Sequence, residues 1–382
     1  MIVRRIRVVI NVQSVTKHRS GIGEYVRQLV LAFLQHHQDQ LEIFLFDGKK
    51  IHSVQSTEHA ESIWLEIPEG KIYSISTQLK LALLLRKKKF DLYFSPEFVI
   101  PLLNLSVPMV ATLHDIIPLV IPHNLQRSKK ARMLFLYRWM LRRTIARCKR
   151  IITDSETSKR DLMERLNAPM EKIDVIYLAA TERQSSIDDS ASELRKILRE
   201  KKYFLFIGRR DPYKGLTILV RAFLRFKKEL PNDYALVIAG PPDPRFVEYK
   251  ALIDSSDYKQ DVLDLGYVAE AELPHLYTHA FAVVCPSFYE GFGLPALTAM
   301  TYGTPVISSN RGSLPEVVGD AALLFDPEND EECQQALVEL HKNDKLRMLL
   351  SEKGKTRSLD FRWSKTAEQT LNTFLAVAHE SL

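Results

Sequence analysis

Short apolar runs alternate with stretches of helical spacing along the whole chain. "IRVVINV" reads as a strand buried on both faces, and "GEYVRQLVLAFLQHH" repeats apolar residues at Val26, Leu29, Val30, Phe33 and Leu34, the spacing of an amphipathic helix. "LEIFLF", "DLYFS", "VPMVATLHD", "KRIITDS" and "DVIYL" continue the strands, with helices expected near 74–88, 126–148 and 156–166. The polar segment "TERQSSIDDSAS" at 181–192 breaks the rhythm and reads as a linker. The alternation restarts with "YFLFIG", "YALVIAG", "VLDLGYV", "AFAVVCPS", "TPVISSN" and "AALLFD". Helices are expected at "GLTILVRAFLRFKKEL" and near 245–256, 271–280, 294–302, 329–342 and 345–358, with a last one in "SKTAEQTLNTFLAVAHESL". Strands without a polar face, separated by helices, imply parallel sheets covered on both sides. The fold expected is α/β, with two Rossmann-like doubly wound domains facing a cleft: 1–182, and 183–362, with helix 363–382 packing back on the first. Ligands of such sheets bind beyond the carboxyl ends of the strands.

A length of 382 residues suits two domains, and 46% apolar with 26% charged residues is an ordinary globular composition. Cys148, Cys285 and Cys333 have no CxxC spacing and no nearby histidine, which argues against a disulfide framework or zinc site and fits a reducing cytoplasm. The basic start "MIVRRIRVVINVQ" has too short an apolar run for a signal peptide, and no stretch suits a spanning helix. Charge is divided unevenly. Residues 1–180 carry 28 Lys and Arg against 17 Asp and Glu, a net of +11, whereas 181–382 carry 25 against 30, a net of −5. Different partners for the two halves follow.

Two loops carry candidate chemistry. In "FLFIGRRDPYKG" a buried strand ends at Gly208, and Arg209 and Lys214 follow on one loop. Two cations at a strand's carboxyl end suit a diphosphate, although the same loop alone also reads as a solvated turn. Neither a Walker lysine motif nor GxGxxG is present. In "PSFYEGFGLPALTAMTYGTPVI" a strand runs into a glycine loop and then a helix start, whose amides and dipole favour an anion. Glu290 on that loop would repel bare phosphate and suits sugar hydroxyls. Alone it also reads as a glycine turn with a capping acid. Together the loops describe a nucleotide-sugar site.

These stretches, with "GSLPEVVGDAALLFDP", resemble the donor-binding half of the retaining glycosyltransferases of family 4 (group 1). "SGIGEYVRQL", "FSPEFVIPL", "ATLHDIIPL" and "ITDSETSKRDL" resemble the family's first half, most of all the bacterial mannosyltransferase branch that builds O-antigen and capsule chains. The resemblance implies the GT-B fold, a nucleotide-diphosphate sugar donor, with GDP-mannose the best guess, and a saccharide acceptor that is lipid-linked. By the same resemblance Arg209 and Lys214 hold the diphosphate, Glu290 bonds the donor sugar, and the backbone of Phe292, Gly293 and Leu294 lies beside sugar and phosphate. His114 faces the donor sugar, and Gly21 and Gly23 form a glycine loop that admits the diphosphate; Asp115, from its place beside His114 and not from the resemblance, reads as a local hydrogen-bonding partner. One position departs. Where the family places a second glutamate, eight positions after the first, this chain has Thr298, which cannot make a bidentate contact with a ribose.

No D-x-D string is present, so metal-independent chemistry without cofactor is expected, the two cations taking the metal's role. The stretch 129–150 holds nine Lys and Arg and no acid, with Met133, Leu134, Leu136, Tyr137, Met140, Leu141 and Ile145 forming an apolar face. The helix 126–148 therefore reads two ways: lying on an anionic membrane at the inner face of the cell membrane, or packed on the core with a solvated basic face. "LRKKKF" at 85–90 adds a second basic patch. Nucleic acid is not expected, for want of a reading module. Two rivals stay open: an epimerase of the same fold, and a non-catalytic sugar-nucleotide-binding subunit, which Thr298 keeps alive.

Overall fold

The computed structural model describes residues 4–15, 21–66, 74–87, 89–101, 107–121, 133–180, 201–230 and 233–380. The expected linker at 181–192 lies outside them. The chain divides into two compact units. One takes in the described residues of Met1–Val120, Arg132–Leu178 and Arg362–Leu382; the other, those of Ile121–Ala131 and Ala179–Phe361.

The first unit is built on β1 (Ile6–Asn11), β2 (Leu41–Phe46), β3 (Ile51–Val54), β4 (Leu92–Ser95), β5 (Met109–Thr112), β6 (Arg150–Thr153) and β7 (Ile173–Val175). Among the described residues they form one sheet in the order β3-β2-β1-β4-β5-β6-β7. Neighbours run parallel except β3, which pairs antiparallel to β2 through Phe46 and Ile51. This edge strand is absent from the sequence expectation, because "IHSV" is half-exposed and shows no continuous apolar run. The helices are α1 (Gly21–His36), α2 (Thr57–Glu66), α3 (Ile75–Lys87), the single turn α4 (Ile117–Val120), α5 (Leu134–Arg147) and α6 (Glu156–Leu166). α2 is likewise new. Of the helix expected over 126–148, residues up to 132 lie outside the description, and α5 begins at Leu134. A buried cluster of α3, α5 and α6 with the strands fills one side of the sheet, through Leu81, Leu85, Leu141, Ile145 and Leu162.

The second unit has β8 (Tyr203–Ile207), β9 (Ala235–Ala239), β10 (Val262–Gly266), β11 (Ala282–Cys285), β12 (Val306–Ser309) and β13 (Ala322–Phe325). Among the described residues they form an all-parallel sheet in the order β10-β9-β8-β11-β12-β13. Its helices are α7 (Leu216–Glu229), α8 (Glu248–Asp254), α9 (Leu273–His279), α10 (Leu294–Tyr302), α11 (Leu314–Val318), α12 (Asp330–Lys342) and α13 (Asp344–Ser358). The last helix, α14 (Trp363–His379), packs in the first unit. Phe374 lies 5.8 Å from Phe33 and 5.1 Å from Phe94, and Thr366 donates to the Tyr177 carbonyl at 2.8 Å.

In each sheet the order reverses beside the first strand, between β1 and β4 and between β8 and β11. Connections on either side of such a point leave toward opposite faces, so the loops after these strands open a crevice at their carboxyl ends. In the second unit those loops are the two that carry Lys214 and Glu290.

Candidate active site

After β8 the chain makes a single 3-10 turn, Pro212–Lys214, and enters α7 through Gly215. Gly215 has φ +71°, and a Cβ there would stand 1.9 Å from the Pro286 carbonyl oxygen. Only glycine permits that approach, so the lysine loop presses on the start of the glutamate loop. The Phe288 amide donates to the Tyr213 carbonyl at 2.7 Å and fixes the register between them. A third loop closes the arrangement. At Gly312, φ +60°, a Cβ would meet Glu290 backbone atoms at 2.8 and 2.9 Å, and the Ser313 hydroxyl donates to the Glu290 carbonyl at 3.0 Å.

This scaffold brings Lys214 onto Glu290. The lysine Nζ lies 2.7 Å from both carboxylate oxygens, and the Ser287 hydroxyl donates to Oε1 at 2.6 Å. The Lys214 and Glu290 side chains are 17% and 12% exposed, so the pair is largely shielded yet reachable from solvent. Ser287 is a site neighbour that sequence reasoning missed; its place just after β11 was the available signal. Cys285, directly below, is no nucleophile here: burial first, then the Glu290 charge, push its thiol up to about 12. Lys214, Cys285, Ser287, Glu290, Gly293 and Pro295 line a cavity of about 10 Å³.

Arg209 is not brought to the same point. Its side chain is 59% exposed and pairs with Asp211 at 2.9 Å. The next residue, Arg210, turns inward and went unnoticed in the sequence. With its side chain fully buried, it pairs with Asp264 at 2.9 Å and donates to the Gly208 carbonyl at 2.8 Å. A buried guanidinium survives only with such partners, and here they tie the end of β8 to Asp264 of β10.

The expected helix start is present. Gly293, φ +106°, precedes α10, and a Cβ there would collide with the Leu314 side chain at 2.7 Å. The amides of Ala296 and Leu297 already bond the Gly293 carbonyl, and Pro295 has no N–H. The amides at Gly293 and Leu294 are thus the ones at the mouth of the helix. The Phe292 ring is buried edge-on against Phe361 at 5.9 Å, which leaves its backbone for the loop. Thr298 lies one turn into α10 and shares a hydrogen bond with the phenol of Tyr277 on α9. Burial first, with little relief from Thr298, raises the Tyr277 phenol well above its ordinary range. The hydroxyl that replaces the family's second glutamate is therefore engaged with the protein's own interior.

In the first unit, His114 follows β5. Its Nδ1 lies 2.7 Å from Asp154 Oδ2, and its Nε2 lies 3.1 Å from the Pro96 carbonyl oxygen. The Tyr25 ring stands edge-on to the imidazole at 4.8 Å. Burial disfavours the imidazolium, but the Asp154 charge and hydrogen bond, Asp115 and the Pro96 carbonyl outweigh it, and the histidine's pKa is raised. The partner is thus Asp154, not Asp115 as expected; Asp115 accepts from the Ile117 amide at 3.0 Å and starts α4. Gly21 and Gly23 also differ from expectation. α1 begins at Gly21, so both sit in a helix's first turn, and a Cβ at Gly21 would meet nothing within 4 Å. Residues 16–20, between β1 and α1, lie outside the described set. Among the described residues no group of three or more His, Cys, Asp or Glu could hold a metal ion, and no helix is long and apolar enough to cross a membrane.

Paired doubly wound units, with a lysine–glutamate pair at the second unit's switch point, define a GT-B glycosyltransferase architecture. The chain belongs to the group 1 glycosyltransferases: residues 189–357 match the family profile "Glycosyl transferases group 1", and residues 19–180 match "Glycosyltransferase Family 4". It is 31% identical over 295 residues to O-antigen chain mannosyltransferase B of Escherichia coli, covering 76% of this chain and 75% of that one. It is 30% identical over 265 residues to O-antigen chain mannosyltransferase RfbU of Salmonella typhimurium, covering 69% of each. Among solved structures, Anabaena HepE in complex with UDP superposes with a TM-score of 0.72 at 16% identity, over 97% of this chain and all of that one. The protein is thus an enzyme, a hexosyltransferase, and the epimerase and non-catalytic readings lose their ground.

Proposed function

We propose that the enzyme transfers mannose from GDP-mannose to a growing, lipid-linked saccharide of a surface polysaccharide, at the cytoplasmic face of the membrane and with retention at the anomeric carbon. The observation that carries this reading is the Lys214–Glu290 pair, held 2.7 Å apart at the point where strand order reverses. The names of the two O-antigen relatives support mannose.

In this reading an arriving diphosphate competes with Glu290 for Lys214. The lysine turns to the phosphates, and Arg209, already exposed, joins it. The released carboxylate then accepts from hydroxyls of the sugar. Negative charge grows on the diphosphate as the bond to the anomeric carbon breaks, and fixed cations lower that barrier. No protein nucleophile is assigned: Glu290 is engaged with hydroxyls, and Cys285 stays a buried thiol. His114 keeps the donor-sugar role that the family resemblance implies, and no metal enters any step. Activity should then persist in excess EDTA.

A thermal-shift panel of GDP-, UDP- and dTDP-sugars tests the donor, since a ligand that binds only the folded state raises its melting temperature. GDP-mannose should give the largest shift, and transfer to a lipid extract should yield the anomer of the donor. A larger shift with a UDP-sugar would overturn the donor assignment. Conversion of free donor to another sugar without acceptor would restore the epimerase.

A further inference from the structure

α3 and α5 cover the same side of the first unit's sheet, since Leu81, Leu85, Leu141 and Ile145 share one buried cluster. Their outer faces break the usual rule that large apolar groups turn inward. On α5, Phe135 is 84% exposed, Trp139 47% and Leu136 42%, and Arg138 and Arg142 are exposed beside them at helical spacing. On α3, Leu79 and Leu83 are 44% and 58% exposed, with Lys80 and Arg86 between and beyond them. Over Ile75–Lys87 and Leu134–Arg147 the two helices carry seven Lys and Arg and no acid. Exposure alone would not carry an argument. α13 exposes Met348 and Leu349, but sets them among Asp344, Glu352 and basic residues, as a solvated face does.

We propose that this face of α3 and α5 is a docking surface for an anionic lipid bilayer. Phe135, Leu136 and Trp139 enter the boundary between headgroups and acyl chains, where an aromatic ring with a polar edge is well placed. Arg138, Arg142, Lys80 and Arg86 meet the lipid phosphates, arginine with its planar fork of donors. Apolar area and uniform positive charge on one surface are what interfacial binding requires. A second copy of the chain is the poorer occupant, because a two-fold interface would set this cationic face against itself. The surface stands on exposure and charge, and does not depend on which sugar the enzyme moves.

The test is sedimentation of the whole protein with vesicles of phosphatidylcholine alone or mixed with phosphatidylglycerol. Binding should require the anionic lipid and weaken as salt rises, since exposed charges are screened within about 10 Å at 0.1 M. Phe135→Ser with Trp139→Ser should weaken binding at least about tenfold, roughly 1.4 kcal/mol, and so should Arg138→Gln with Arg142→Gln. Both double variants should melt near the wild-type temperature, because the replaced side chains are exposed. Trp139 fluorescence should shift to the blue on adding anionic vesicles, and Trp139→Phe should abolish most of that shift. Equal binding to neutral vesicles, or wild-type binding by both double variants, would overturn the proposal. So would a dimer that the apolar variant disrupts in a protein that ignores vesicles.

Discussion

The two units each place an ion pair at the carboxyl ends of their strands, and the pairs are built differently. His114 is held at both ring nitrogens, by Asp154 and by the Pro96 carbonyl, and Asp154 is only 3% exposed. Lys214 meets Glu290 at the end of a flexible four-carbon stem, its Nζ 2.7 Å from both carboxylate oxygens. A charge fixed at every donor orients and stays. A lysine that meets a carboxylate on a flexible stem can be drawn off by a better anion. Equally short pairs can thus be built differently: the first is held at both ring nitrogens, and the second, in the reading proposed above, is the one a diphosphate opens.

The largest effect expected is at the second pair. Lys214→Ala should cost roughly 2–4 kcal/mol of transition-state stabilisation, the range for one preorganised charge contact, measured as kcat/KM with GDP-mannose. Its melting temperature should change much less than its rate. Unchanged turnover would remove the phosphate role and with it the contrast between the pairs.

Asp154→Asn addresses the first pair. Losing a hydrogen bond to a charged group typically costs about 1.5–3 kcal/mol. The histidine's pKa is raised in the folded state, so its contribution is complete below the unfolded value near 6.5 and fades as pH climbs through the folded value. Wild type should therefore lose this increment of stability with rising pH, and the variant should not. An NMR titration of the His114 ring should show its pKa falling in the variant. An identical titration would mean Asp154 does not set it.

Which of this was visible in the sequence follows from the physics of each feature. Strands buried on both faces leave continuous apolar runs, so β8 and β11 and the loops after them were placed from the sequence. β3 was not, since a half-exposed antiparallel edge strand shows no such run. The pairing of Lys214 with Glu290 spans 76 positions, and that of His114 with Asp154 spans 40. No local pattern encodes either; both come from parallel strands delivering their ends to one edge. Gly215 and Gly312 could be read as turn glycines, but not as points where one loop's backbone rests on another's. The inward turn of Arg210 beside the outward turn of Arg209 is equally silent in "GRRDPYKG".

The smallest effect expected is at Thr298. Thr298→Val keeps the shape and removes the hydroxyl, stranding part of the buried Tyr277 phenol's bonding. About 1 kcal/mol of stability should go, read as a lowered denaturant midpoint, with nucleotide affinity nearly unchanged. A loss of GDP affinity as large as the loss of stability would instead make Thr298 a ligand contact.

The measurement closest to the central claim is calorimetry of GDP binding to wild type and to Glu290→Gln. If the carboxylate holds the lysine that the diphosphate needs, removing its charge frees Lys214 and lifts a like-charge repulsion from the phosphates. GDP should then bind tighter by roughly tenfold, about 1.4 kcal/mol, while transfer from GDP-mannose falls. GDP binding that is unchanged or weaker in Glu290→Gln would contradict the account: the pair would then be a fixed contact that no diphosphate opens.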